Sequence, residues 1–132
     1  MFGKKEAQPP IKSLLAQGCR IEGELRFTEG MRIDGEVFGN IRGIPDQPSL
    51  LVISETATVH GEIEADHVII DGMVRGPVRA AELLELQPRA RVEGDIDYRS
   101  LEMHQGAMVS GQLRPMPALD EKPLLKLAAN NN

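Results

Sequence analysis

Residues 33–39 read IDGEVFG, and residues 70–76 read IDGMVRG. Five of the seven letters agree, yet neither copy pairs a nucleophile with a base or contains a recognisable set of metal ligands. A sequence motif that recurs without catalytic residues indicates a repeated structural unit. The length and number of these units then decide the fold.

The repeat extends to six copies of the pattern [IV]-x-Gly-x-[ILV], whose first residue we call the anchor. The anchors are spaced 16, 22, 15, 18 and 17 residues apart. Self-similarity at this length is the signature of a solenoid, in which each unit buries its apolar face only against its neighbours. The copies are Ile21-Gly23-Leu25, Val37-Gly39-Ile41, Val59-Gly61-Ile63, Val74-Gly76-Val78, Val92-Gly94-Ile96 and Val109-Gly111-Leu113.

Positions before the anchor follow the same phase. The residue two positions before it is small in every copy, and the residue six positions before it is apolar. These offsets are all even, as expected for strands, because side chains alternate between faces with a period of two. The predicted apolar column consists of Leu15, Met31, Ile53, Val68, Leu86 and Met103.

The fold class follows from the length of the unit. At about 3.3 Å per residue, roughly 17 residues fit one coil of three short strands. We predict an all-β, three-sided parallel β-helix of about six coils, spaced about 4.8 Å apart. The recurrent Gly is expected at a corner. The extra residues, chiefly 44–50 (IPDQPSL), are expected at one corner between copies. The core is predicted over 14–114, with flexible termini at 1–13 and 115–132.

A column of charge supports this register. The residue after the second aliphatic position alternates in sign from the second copy onward. Stacked in parallel register, such side chains would lie about 4.8 Å apart, where opposite charges attract and like charges repel. The column reads Arg26, Arg42, Glu64, Arg79, Asp97 and Arg114.

Composition narrows the possible functions. The 132 residues carry a net charge of −5, only 3% are aromatic, and none is Trp. An acidic chain with few rings is a poor nucleic-acid surface. The single Cys19 and the lack of a signal peptide or long apolar run indicate a cytoplasmic protein. Cys19 is interpreted as a packing residue. No cofactor is expected, and no metal site, because His60, His67 and His104 lack ligand spacing.

The chain resembles the bactofilins, bacterial cytoskeletal proteins that form polymers. Three features carry the resemblance: the degenerate repeats from about residue 15 to 113, the short polar, Pro-containing flanks, and the opening Met1-Phe2-Gly3-Lys4-Lys5. The last is similar to the membrane-targeting segment of that family. The insertion with Pro45 and Pro48 departs from an even stack of coils.

The resemblance implies a function without catalysis. It implies a right-handed parallel β-helix that assembles without nucleotide into non-polar filaments, through contacts between like ends. It also implies location at the inner face of the cytoplasmic membrane. The implied partners are further copies of the chain, the membrane surface, membrane proteins, and peptidoglycan synthases or hydrolases that affect cell shape.

Candidate site residues follow from the two open ends of such a solenoid. Terminal coils expose unpaired backbone groups and a cross-section of the core. The end-contact residues are predicted to be Leu15, Ile21, Leu25 and Phe27 at one end, and Met103, Met108, Val109 and Leu113 at the other. The alternative is that these residues only close the core beneath flanking loops.

Two further surfaces are candidates. Phe2, Lys4 and Lys5 would bind an anionic membrane, unless the segment is only a disordered, solubilising start. Phe38 stands where most copies have a polar or charged residue after the anchor, so it is a possible lateral contact.

Two other classes of β-helix compete with this interpretation. Hexapeptide-repeat acyltransferases stack three-sided coils, but they carry an aliphatic residue every six positions, whereas the copies in this chain are irregularly spaced. A carbohydrate-binding β-helix would need aromatic platforms, and the chain has one Tyr and no Trp.

Overall fold

A computed structural model describes residues 8–117, and within that range it contains strands and no helix. The predicted all-β parallel solenoid of about six coils is confirmed. The termini predicted to be flexible fall largely outside the described residues. The strands are β1 (Ile11–Leu15), β2 (Arg20–Glu22), β3 (Leu25–Phe27), β4 (Glu29–Ile33), β5 (Glu36–Phe38), β6 (Ile41–Gly43), β7 (Ser49–Ile53), β8 (Thr58–His60), β9 (Ile63–Ile70), β10 (Met73–Arg75), β11 (Val78–Leu86), β12 (Arg91–Glu93), β13 (Ile96–Tyr98), β14 (Leu101–Met103), β15 (Met108–Ser110) and β16 (Leu113–Pro115).

Each coil contributes one strand to each of three faces, in the order C, A, B along the chain. Face A is the six-stranded sheet of β2, β5, β8, β10, β12 and β15. Face B contains β3, β6, β13, β16 and the first halves of β9 and β11. Face C contains β1, β4, β7, β14 and the second halves of β9 and β11. Because β9 and β11 run through the corner between them, faces B and C form one ten-stranded sheet.

The anchors stack in the predicted register. Each anchor pairs with the anchor of the next coil, and the second aliphatic residues pair in the same way. The interior members of both columns are at most 1% exposed. A core built from β-branched and Leu side chains therefore runs along the axis of the rod, with almost no aromatic residue in it.

The predicted column six residues before the anchor is wrong in two of its six members. Ile33, not Met31, pairs with Leu15 and Ile53, and Ile70, not Val68, pairs with Ile53 and Leu86. Met31 and Val68 are buried as well, but they lie two residues earlier on face C than Ile33 and Ile70. The shift does not change the face, because two residues are one full period of a strand.

The cause of this shift is a shorter corner between faces C and A in the second and fourth coils. In the other coils this corner closes with a backbone turn, such as Ala57 N–H to the Ser54 carbonyl at 3.0 Å. In the second and fourth coils the repeated Ile-Asp-Gly motif takes the place of that turn, and the corner is two residues shorter. A Cβ at Gly35 would lie 2.3 Å from the Cys19 carbonyl oxygen, and one at Gly72 would lie 2.2 Å from that of Ser54. The repeated Ile-Asp-Gly motif therefore forms the short corner, which has room only for Gly at its third position.

The length differences between copies therefore occur at two corners, and the expectation of a single variable corner was wrong. The second one lies between faces B and C. There residues 44–48 form a loop between β6 and β7, and Asp46 takes a left-handed φ of 70°. The base of this loop is held by Ser49 and Asp66. The Ser49 N–H donates to Asp66 Oδ2 at 3.2 Å, and the Asp66 N–H donates to Ser49 Oγ at 3.0 Å.

The corner between faces A and B is lined by the repeated glycine, as predicted. The six glycines have φ between 126° and 155°, a backbone conformation that residues with a side chain rarely adopt. From the second coil onward, an added Cβ would lie 2.0–2.4 Å from the carbonyl oxygen of the glycine in the coil before. Both the backbone conformation and the spacing between coils therefore require Gly.

Substitution of Gly61 by Ala tests this corner. We expect it to lower the free energy of unfolding by at least about 3 kcal/mol, because it combines φ strain with a clash against the Gly39 carbonyl. The matched control is Gly23→Ala, which has similar φ strain but no atom within 4 Å of the added Cβ. Chemical denaturation should show a clearly smaller loss for the control. Equal losses would contradict the proposed contact between coils.

Candidate assembly surfaces

Both terminal coils have an open side. β1, β2 and β3 each pair only with the strand of the second coil, and β14, β15 and β16 pair only with the strand of the fifth. Within residues 8–117, no strand covers either end. Unpaired strand backbone is a template for pairing with another chain.

The apolar columns run through to these open ends. At the carboxy-terminal end, Met103 is 46% exposed and Leu113 is 39% exposed, whereas Leu86 and Ile96 directly beneath them are 0% exposed. Val109 continues the anchor column and is half-buried. These three predicted end-contact residues therefore share one apolar cross-section.

Met108, the fourth residue predicted at this end, points in another direction. It precedes the anchor and pairs with Arg91, so it lies in an outward column of face A, where it is 58% exposed. Its surface faces sideways from the last coil.

At the amino-terminal end, the structure separates the predicted residues in a similar way. Leu15, Ile21 and Leu25 are half-buried in the first coil and continue the core columns. Phe27, however, is only 7% exposed and belongs to the core. A charge at Phe27 would therefore disturb folding before it disturbed any end contact.

Sequence reasoning missed two exposed apolar residues near this end, Ile11 and Leu14, which are 45% and 57% exposed. They belong to β1, which begins before the first recognised copy. The alternation of apolar residues in IKSLL is imperfect, and β1 pairs with β4 through an irregularity between Ile11 and Ser13. Because of this irregularity, the sequence pattern of β1 does not match that of the repeat.

The charge column on face B is present in the predicted register. Arg42 Nη1 lies 2.7 Å from Glu64 Oε1, Arg79 lies within 4.0 Å of carboxylates on both adjacent coils, and Arg114 Nε lies 2.8 Å from Asp97 Oδ1. The hydrogen bond and charge of Asp97 raise the pKa of Arg114. Such pairs are exposed and individually weak, so the column supports the register more than it stabilises the fold.

Phe38 is half-buried on face A, with both faces of its ring covered by neighbouring coils. The His60 ring stacks on it at 4.4 Å between centroids and an interplanar angle of 6°. The Arg20 guanidinium carbon lies 4.2 Å from its centroid. A lateral contact through Phe38 stays a prediction, and a partner would meet the edge of the ring.

The predicted membrane-binding residues Phe2, Lys4 and Lys5 lie outside the described residues. The structure does describe where the chain leaves that segment. The Gln8 side-chain amide lies 3.0 Å from Nδ1 of His67, on the fourth coil. Partial burial lowers the pKa of His67, against the opposing effect of Glu85, Glu102 and Glu82. His67 is therefore mostly neutral at pH 7.

The other groups considered for chemistry lie at or near the surface. Cys19 lies in the small-residue column of the first coil and is exposed, because no coil covers it there. Within residues 8–117, Glu85, Glu102 and His104 bring three potential ligand atoms within 4.8 Å of one another. The spacing of these residues in the sequence does not reveal the group, because they meet only where β14 pairs with β11 of the preceding coil. His104 Nε2 lies 3.4 Å from Glu85 Oε2, and Gln87 also donates to this carboxylate.

In residues 8–117, no helix has the length and apolar character needed to cross a membrane.

Comparison with known proteins agrees with the solenoid geometry. The profile of a family described as polymer-forming cytoskeletal, the bactofilins, matches residues 13–114. Bactofilin BacO of Myxococcus xanthus (strain DK1622) is 31% identical over 101 residues, which cover 76% of this chain and 77% of that protein. No solved structure matches.

The all-β solenoid with open apolar ends, together with the family match, places the chain in the polymer-forming cytoskeletal class. The chain belongs to the bactofilin family. The family assignment favours this class over the hexapeptide acyltransferases and the carbohydrate-binding β-helices.

Proposed function

We propose that the chain is a non-enzymatic scaffold that polymerises without nucleotide, by joining like ends of its β-helix into non-polar filaments. The observation that carries this proposal is the exposure of core columns at both ends of the described rod. A side chain that is fully buried in an interior coil is nearly half-exposed in the last coil, as Leu86 and Met103 illustrate. Burial of one such side chain contributes about 1.5–3 kcal/mol before the cost of association.

The proposed contact is self-complementary. When like ends meet around a two-fold axis, each residue of the face is used twice. At the carboxy-terminal end, Met103, Val109 and Leu113 would form the apolar centre. At the amino-terminal end, Leu15, Ile21 and Leu25 would do so. The stacked second-aliphatic column would thereby continue across the junction, and the unpaired backbone of the terminal strands would find partners.

The filament is proposed to lie at the inner face of the cytoplasmic membrane. Phe2 would insert its ring at the interface, while Lys4 and Lys5 would attract anionic headgroups, each worth about 1 kcal/mol. One copy of this segment binds weakly. A filament presents many copies and gains by avidity. Membrane proteins and peptidoglycan synthases or hydrolases are the proposed recruited partners.

Leu113→Arg tests the end contact. Two charged side chains would meet at each carboxy-terminal junction, and the loss of about 3–6 kcal/mol of burial should raise the concentration needed for assembly at least about 100-fold. Electron microscopy should show short, folded species with an unchanged β-sheet circular dichroism spectrum. Met103→Arg should behave alike. The control is Glu93→Arg, an outward position on face A. Long filaments in both end variants would contradict the proposed face.

Deletion of residues 2–5 tests membrane binding. The deletion should abolish co-sedimentation with anionic vesicles and leave filament formation intact, because the segment precedes the first strand. The control replaces Lys122 and Lys126 by Gln, which removes the same number of lysines from the other terminus. Retained binding after the deletion, or equal loss in the control, would refute the assignment.

A further inference from the structure

The chain upstream of β1 runs lengthwise along the rod instead of leaving from its end. The Pro10 carbonyl oxygen lies over Gly30 of the second coil, 2.3 Å from where a Cβ would be. Gln8 then reaches His67 of the fourth coil. Within three residues, the contacts of the chain thus move from the second coil to the fourth, along the corner between faces B and C. Gln8 therefore lies beyond Pro10 in the direction of the fifth and sixth coils.

A groove of about 730 Å³ accompanies this path. One wall consists of Gln8 and Pro9, and the other is the loop at Asp46, Gln47 and Pro48. The volume falls within the range of about 300–1,000 Å³ typical of ligand sites. Because one wall is the chain that leads into residues 1–7, the nearest occupant is the segment itself.

The lining of the groove is acidic with apolar stretches. It includes the carboxylates of Asp46, Asp66 and Glu82, and no Lys or Arg is among the described residues that line it. Arg99, which lies outside the lining, pairs with Glu82, with Nη1 3.4 Å from Oε1, so Glu82 is partly neutralised. Pro9, Pro48 and Leu83 contribute the apolar surface. His67, being mostly neutral, offsets little of the negative charge. The groove thus suits a short segment that combines positive charge with one apolar side chain.

The acidic surface continues beyond the groove. Glu85 pairs in register with Glu102. Among the strand pairings of residues 8–117, this is the one position where two acidic residues lie directly opposite each other. Like charges so placed are unfavourable. Exposed arginines neutralise the stacked acids of face B, whereas Glu85 contacts the imidazole of His104 and the amide of Gln87. An added cation would therefore be stabilised here.

Residues 1–7 (MFGKKEA) have the matching chemistry and length. They contain Lys4 and Lys5, one acid, and the ring of Phe2. Lys5 lies three residues before Gln8, so the extended backbone spans at most about 10 Å between them. Two coil steps of about 4.8 Å cover the same distance. Lys4 and Lys5 can therefore reach the carboxylates of the fifth and sixth coils.

We propose that, without a membrane, residues 1–7 dock in this groove of their own rod, with Lys4 and Lys5 against Glu82 and Glu85. Anionic lipid then competes with the groove for the same two lysines. This competition rests on the membrane binding proposed above, whereas docking in cis does not. The docked segment lies along the flank, so both ends of the rod remain open for assembly in either state.

Trypsin cleavage after Lys4 and Lys5, measured by mass spectrometry on the full chain without lipid, tests the docking. The variant Asp46→Asn/Glu82→Gln/Glu85→Gln should be cut at least about threefold faster than wild type, because neutralising three carboxylates of this surface weakens its attraction for Lys4 and Lys5. The control Glu22→Gln/Glu36→Gln/Glu93→Gln makes the same change in charge on face A and should be cut at the wild-type rate. High salt should accelerate wild-type cleavage.

Equal cleavage of all three proteins would overturn the docking. A rate that falls with protein concentration would overturn docking in cis, because it would show that the segment binds a neighbouring copy. The comparison is made in the Leu113→Arg background, so that filament length does not vary between samples.

Vesicles of phosphatidylglycerol and phosphatidylcholine test the competition separately. The groove variant should reach half-binding at lower lipid concentration than the matched control. If no protein binds vesicles, the proposed membrane function fails and the cleavage result still decides the docking. Equal vesicle binding by the groove variant and the control, with faster cleavage of the groove variant, would overturn the competition.

Discussion

The contact between successive glycine corners sets the geometry of the whole rod. A Cβ at Gly39 would lie 2.0 Å from the carbonyl oxygen of Gly23, and four further coils repeat this approach. Side chains are excluded there, so the backbones of adjacent coils can follow one another in register around the turn. The anchor and second-aliphatic columns on either side of the glycine inherit that register. A continuous core then forms, mainly from Val, Ile and Leu.

Much of this could be predicted from sequence because the repeated positions are separated by even numbers and flank an obligatory Gly. The anchor, glycine and charge columns all follow from that phase. The column containing Met31 and Val68 was predicted wrongly because Ile33 and Ile70, two residues later, are equally apolar. A register shift of two residues keeps every side chain on its face, so alternation alone could not show that the Ile-Asp-Gly corners are short.

Contacts across the flank could not be predicted at all. Gln8 and His67 are 59 residues apart, and they meet only because three coils carry the chain back to the same corner. The approach of Glu85 to Glu102 likewise depends on the number of residues in the intervening coil. Among the end residues, the pattern identified the apolar columns, but it could not distinguish the open Leu113 from the covered Phe27. That difference depends on what packs above each side chain.

The arrangement would place the two proposed activities on different parts of one small rod. The ends carry the apolar cross-section proposed for assembly, while Gln8 and Pro10 lie along the flank, where the amino-terminal segment is proposed to dock. Membrane engagement and polymerisation would therefore use different surfaces. A filament could consequently form first and bind afterwards, with avidity set by its length.

Cryo-electron microscopy of purified filaments would show whether the coil stack continues through the junctions between molecules. We expect coaxial rods with an unbroken axial strand spacing of about 4.8 Å, two-fold axes at both kinds of junction, and Met103 and Leu113 buried between like ends. Rods packed side by side with their terminal coils still in solvent would contradict this expectation.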